Sequence, residues 1–138
     1  SILAFFSASL LTVGAAEAAS TGAGKLHLEL NALQPNEQAC RVTFLATNGL
    51  GSDISKATFE LAIFGKDGGI DRLVSADFSG LTAGKTKVLQ FDLKAIACGD
   101  ISRVLINDVT TCIGDDLAAT ACLAQLETSN KTTITFGS

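Results

Sequence analysis

Leu26-His27-Leu28-Glu29-Leu30 is a stretch in which every second residue is leucine and the residues between are polar. Successive side chains of a β-strand point to opposite faces. The pattern therefore reads as a strand with one face in a core and the other in water. The same period of two recurs along the chain. Cys40, Val42, Phe44 and Ala46 share one face, with Arg41 and Thr43 on the other. Phe59, Leu61 and Ile63 alternate with Thr58 and Glu60, and Ile70 to Phe78 returns as a more polar strand. Leu89, Phe91 and Leu93 alternate with Lys87, Gln90 and Asp92, and read as the inward face of a central strand. Val104 and Ile106 sit in a run from Ser102 to Thr111, and Ile134 and Phe136 share a face in a last strand over Thr132 to Phe136. The stretch Asp115 to Thr128 reads as either a short helix or a strand after a loop.

The segments between these runs carry turn chemistry. Asn48-Gly49-Leu50-Gly51 breaks the second strand with residues that tolerate positive φ. Lys66-Asp67-Gly68-Gly69 is a hairpin signal, and Gly80-Leu81-Thr82-Ala83-Gly84 makes the next turn. About seven strands of this spacing, with glycine-rich turns and no long helix, predict an all-β fold: an immunoglobulin-like antiparallel β-sandwich. The chain shows no internal repeat and no low-complexity linker.

Residues Ile2 to Val13 are almost wholly apolar, and Ala16-Glu17-Ala18 follows with the A-x-A pattern read by a signal peptidase. No basic n-region and no initiator Met precede the run, so the chain reads as clipped at its start. The run is short for a membrane span of ~20 residues. The expected organisation is a signal peptide over 1–18 (or a retained anchor), a flexible mature N-terminus over 19–24 and one β-sandwich domain over 25–138. Removal of Glu17 with the leader leaves 13 acidic residues against 10 basic ones. A mildly acidic chain with scattered Lys and Arg argues against nucleic acid and against an anionic membrane surface as partners. Met, Trp and Tyr are absent, so eight Phe and the aliphatic residues must make the core.

Four cysteines stand at 40, 98, 112 and 122. An even count in an exported chain reads as two disulfides, for which three pairings exist. The predicted topology selects among them. In an immunoglobulin-like sandwich the second strand pairs antiparallel with the fifth element, the run near 86–94. Cys40 opens the one and Cys98 follows the other, so they are expected to pair. Cys112–Cys122 would then close a local loop before the last hairpin. An antibody-like Cys40–Cys112 pairing is the competing outcome.

Candidate chemistry is sparse. His27 is the only histidine, so a Ser-His-Asp or Cys-His mechanism would have to be built on it. It reads as an exposed strand residue on the same face as Glu29. No Ser-x-x-Lys dyad occurs, and oxidised cysteines offer no nucleophile. Asp67 and Asp71 flank a hairpin turn, and Asp115 and Asp116 follow Asn107-Asp108. A glycosidase built on such pairs needs a sugar cleft, usually lined by Trp or Tyr, which this chain lacks. A calcium loop at Asp115 and Asp116 lacks the D-x-[DN]-x-[DN]-G pattern. Copper carriage favours Met and His ligands, and no C-x-x-C supports a zinc site, so no metal and no cofactor are expected. Asn48 to Asp53 lacks the third glycine of a dinucleotide fingerprint. Asn130-Lys131-Thr132 is a glycosylation sequon, relevant only in a eukaryotic secretory pathway.

Several stretches together resemble known modules. They are Cys40 to Phe44 with Asn48-Gly49, Phe59 to Phe64 with Asp67-Gly68, and Leu81 to Gly84 leading into Val88 to Leu93. Over about residues 25 to 110 this rhythm is similar to small bacterial immunoglobulin-like domains of the CARDB and FxLYD kinds. Those modules lack the four cysteines, so their binding roles do not carry over. Cys40 to Phe44, Arg103-Val104-Leu105-Ile106-Asn107 and the tail from Cys122 to Phe136 resemble an exported alphaproteobacterial family. That resemblance implies a periplasmic location and conserved cystines. It brings no activity and no catalytic residue.

The expected function is therefore a non-catalytic periplasmic protein–protein interaction or accessory module, whose partner is an envelope protein or complex. Two alternatives stand beside it. One is a membrane-tethered accessory subunit that keeps residues 1–18 as an anchor. The other is a small hydrolase or inhibitor using loop carboxylates.

Overall fold

A computed structural model of the chain describes residues 1–5, 7–9 and 24–138. The expected cleavage signal Ala16-Glu17-Ala18 and the small-residue stretch 19–23 lie outside the described residues. No helix among the described residues is long and apolar enough to cross a membrane.

Eight strands build the domain: β1 (Leu26–Asn36), β2 (Ala39–Asn48), β3 (Lys56–Gly65), β4 (Ile70–Asp77), β5 (Thr86–Lys94), β6 (Ile101–Ile113), β7 (Leu126–Asn130) and β8 (Thr135–Gly137). They form two four-stranded sheets, with order β5-β2-β1-β7 in one and β4-β3-β6-β8 in the other. The alternation read in the sequence sets the inward faces. Leu26, Leu28 and Leu30 of β1, Cys40, Val42, Phe44 and Ala46 of β2, and Phe59, Leu61 and Ile63 of β3 are all buried. Five phenylalanines join the sheets. Phe44 stands 5.9 Å from Phe91, 5.6 Å from Phe136 and 6.5 Å from Phe78, which in turn meets Phe59 at 5.7 Å.

The last strands depart from the antiparallel expectation. β7 runs parallel to β1, pairing Leu26 with Leu126 and Leu30 with Asn130. β8 runs parallel to β6, pairing Arg103 with Thr135. Between β6 and β7 lies a single helical turn, α1 (Ala121–Ala124), so the ambiguous tail contains both a helix and a strand. Lys131 N–H donates to the Leu30 carbonyl, Asn130 Nδ2 donates to the Ile134 carbonyl, and the chain doubles back into β8. This hairpin straddles the two sheets and closes one lateral side of the sandwich.

The other lateral side lies between β4 and β5. Long cations bridge it: Arg72 Nη1 donates to the Lys94 carbonyl at 2.7 Å, and Lys87 Nζ to the Phe78 carbonyl at 2.7 Å. Inward-pointing charges of this kind discourage edge-to-edge pairing. β5 is thus an edge strand, not the central one expected, and Leu89 and Phe91 are only half-buried while Leu93 is buried.

Two loop positions hold the far end of the sandwich. Asn48 is fully buried. Its Nδ2 donates to the carbonyls of Ser52 and Leu81, and its Oδ1 accepts from Leu50 N–H. A residue that reads as turn former is therefore a buried hub whose amide meets its hydrogen-bonding demand. The positive φ of that turn falls on Gly51, at 84°. At Gly114 a Cβ would lie 2.4 Å from the Asp53 carbonyl oxygen, so only glycine lets the two backbones approach.

Candidate functional site

The four cysteines expected as disulfides form both of the expected pairs. Cys40–Cys98 spans 5.0 Å between Cα atoms and Cys112–Cys122 spans 6.0 Å, both inside the normal disulfide range. Cys40 pairs in register with Leu93 of β5, so the first bridge ties the end of that edge strand to the interior of the sheet. The second anchors α1 to the end of β6. No free thiol remains. Two disulfides are the mark of a chain that folds in an oxidising, exported environment.

His27 differs from its expected exposure. It is half-buried, and its Nε2 lies 2.8 Å from Ser129 Oγ. Ser129 Oγ donates to Glu29 Oε1 at 3.2 Å, and Asn31 Nδ2 donates to Glu29 Oε2 at 3.1 Å. The parallel register of β7 against β1 produces this chain, and sequence reading missed it because that pairing was not foreseen. In it the serine stands between the histidine and the carboxylate. A serine-hydrolase triad needs the histidine in the middle, taking the proton of the serine. Here the Ser129 hydroxyl donates a hydrogen bond to Glu29, so the carboxylate is bonded to the serine and not to the imidazole. The arrangement pins β7 to β1.

The loop carboxylates also have structural work. Asp67 Oδ1 accepts from Gly69 N–H at 3.0 Å and so shapes the β3–β4 turn, and Asp71 pairs with Arg72. Asp115 and Asp116 are exposed on the loop after β6. Among the described residues no group of three or more His, Cys, Asp or Glu is placed to hold a metal ion. An open depression beside Cys98–Asp100 is lined partly by Lys66, Asp71 and Asp100, and Lys66 and Asp100 pair across 3.6 Å.

The two outer faces differ more than any cavity does. On the β5-β2-β1-β7 sheet the outward side chains of β2 and β5 are largely polar and bond in pairs, with Leu45 and Val88 the apolar exception. Thr47 Oγ1 meets Thr86 Oγ1 at 2.7 Å, Gln90 Nε2 donates to Thr43 Oγ1 at 3.0 Å, and Arg41 Nε donates to Asp92 Oδ1 at 3.0 Å. That last bond is the main reason the Asp92 carboxyl sits below the usual carboxylate range. Partial desolvation opposes it, and the charge of Arg41 and a bond from Asn36 assist.

On the β4-β3-β6-β8 sheet the outward row Leu73, Ala62, Leu105 is apolar from strand to strand. The next row is Ile70, Phe64, Arg103, with the guanidinium 5.3 Å above the Phe64 ring. Leu73 is 55% exposed and Ile70 61%. Ala62, between Leu73 and Leu105, is covered although it is no part of the main core. The sequence signal for this face was the unbroken apolar run Leu61-Ala62-Ile63-Phe64, where the alternation with polar residues lapses.

No protein-family model, no curated protein and no solved structure matches the chain.

Proposed function

We propose that this chain is a non-catalytic, periplasmic interaction module of the cell envelope, and that the outer face of the β4-β3-β6-β8 sheet is where it binds another protein. The exposed apolar rows built on Leu73, Phe64 and Ile70 carry this reading. Apolar surface gains about 25 cal/mol for each Å² removed from water, and contiguous exposed patches mark sites of association. A flat sheet face suits a protein surface better than a small substrate, which needs a concave pocket. Two disulfides support export, and the resemblance to an exported alphaproteobacterial family supports a periplasmic setting.

The test is Leu73→Lys in the native protein. Leu73 lies outside the core, so stability should change by no more than about 0.5 kcal/mol. After chemical cross-linking in the intact envelope the wild-type protein should migrate above its monomer size, and Leu73→Lys should shift it downward. Thr86→Lys, on the other face, should leave the size unchanged. A wild type that migrates as a monomer, or a size indifferent to Leu73→Lys, would count against the reading.

A further inference from the structure

The apolar face has polar ends of opposite sign. Along β3, outward residues follow in the order Glu60, Ala62, Phe64. Phe64 lies beside Arg103 in β6, and Glu60 lies beside Asp108. Arg103 and the Glu60–Asp108 pair thus flank the Ala62 row at equal spacing, two β3 residues away on either side. Among the described residues Arg103 forms no ion pair with a carboxylate, and neither Glu60 nor Asp108 forms one with a cation. Arg103 is exposed, and Glu60 is half-buried, accepting a bond from Asn107 Nδ2 at 2.7 Å.

A surface with an apolar centre and equally spaced opposite charges is complementary to itself when turned through half a revolution. We propose that its occupant is a second copy of this chain, packed face to face about a two-fold axis through the Ala62 row. Arg103 of each copy then meets Glu60 and Asp108 of the other, twice by symmetry, while Leu73 and Leu105, in the row along the axis, each cover their counterpart. Closed two-fold dimers need such isologous patches, and complementary charge fixes their register. The inference rests on the binding reading above and names the partner of the same face.

The size of the face sets the class of interface it can form. Strands ~4.8 Å apart and rising ~3.4 Å per residue give four strands of about eight residues a face of roughly 500 Å². That is below the ~800 Å² per partner of a standard interface and in the size class of transient contacts, so the dimer is expected at concentrations from about 1 µM to 1 mM.

Sedimentation velocity on the exported protein, with both disulfides intact and over roughly that concentration range, tests this. The wild type should pass from monomer to dimer. Arg103→Glu and Glu60→Arg should each weaken the dimer about tenfold or more, since each brings like charges together. The triple variant Arg103→Glu/Glu60→Arg/Asp108→Arg reverses every charge in the contact, restores the complementarity and should return to within about threefold of wild type. Unchanged unfolding midpoints control for fold. A wild type that stays monomeric throughout, or a dimer indifferent to both single variants, overturns the proposal. A cross-linker at Leu73 separates the two readings. With a monomeric protein, adducts to a different protein sink the second copy and keep the binding face, and no adducts at all sink both.

Discussion

The two outer faces of this sandwich rest on one core and behave oppositely toward water. On the β5-β2-β1-β7 side the polar side chains satisfy each other: Thr47 with Thr86, Gln90 with Thr43, His27 with Ser129 and Glu29. On the β4-β3-β6-β8 side Leu73 and Ile70 stand more than half exposed beside Phe64, with no partner in the described fold. Among its described residues the first face leaves only Val88, beside Leu45, as a large exposed apolar side chain. The second loses free energy by remaining wet. The difference teaches where to look for function: at the surface whose chemistry is incomplete.

The comparison depends first on both faces belonging to one cooperative unit. Phe44 stands between them, fully buried against Phe91, Phe136 and Phe78. Phe44→Ala should cost about 3–5 kcal/mol, with hydrogen exchange rising in both sheets together. Phe91→Ala should cost less, roughly 2–3 kcal/mol, because β5 is an edge strand and Phe91 only half-buried. Equal costs in denaturant unfolding would show that the edge is packed as tightly as the centre.

His27→Ala sharpens the polar side. It removes the bond to Ser129 and should cost about 0.5–1.5 kcal/mol, more than an ordinary surface change. Exchange of β7 amides should rise while binding through the opposite face is untouched. Loss of that binding with the fold intact would move function to the His27 face.

The smallest expected effect concerns Asp92. Its carboxyl titrates lower in the folded protein than in the unfolded chain, so the native state binds fewer protons. The resulting stabilisation is present above the ordinary carboxylate range and disappears as pH falls through the folded value. Wild type should therefore exceed Asp92→Asn slightly in unfolding midpoint at neutral pH, and the gap should close in acid. Salt should narrow it too, since the pair is exposed. A gap that widened in acid would contradict the ion-pair assignment.

Much of the interior was legible because burial on one face of a strand imposes period two, and β1, β2, β3 and β5 obey it. The disulfides followed from strand adjacency: the antiparallel pairing of β2 with β5 brings Cys40 beside Leu93, close to Cys98. Three things were hidden. In β6, irregular register opposite Phe59 and Leu61 breaks the alternation. The parallel docking of β7 and β8 leaves no local pattern, since short strands gain their order from neighbours distant in sequence. The Ser129–His27–Glu29 chain exists only once that docking is made. The apolar face was blurred for another reason. Ala62 and Phe64 lie within a run that is apolar on both sides, where periodicity cannot tell the core from an open surface.

The most direct test of the central claim places a photoactivatable side chain at Leu73 and, separately, at Thr86, in the protein within its own envelope. The account predicts defined protein adducts from Leu73 and none from Thr86. Adducts from Thr86 alone, or equal labelling from both positions, would contradict it.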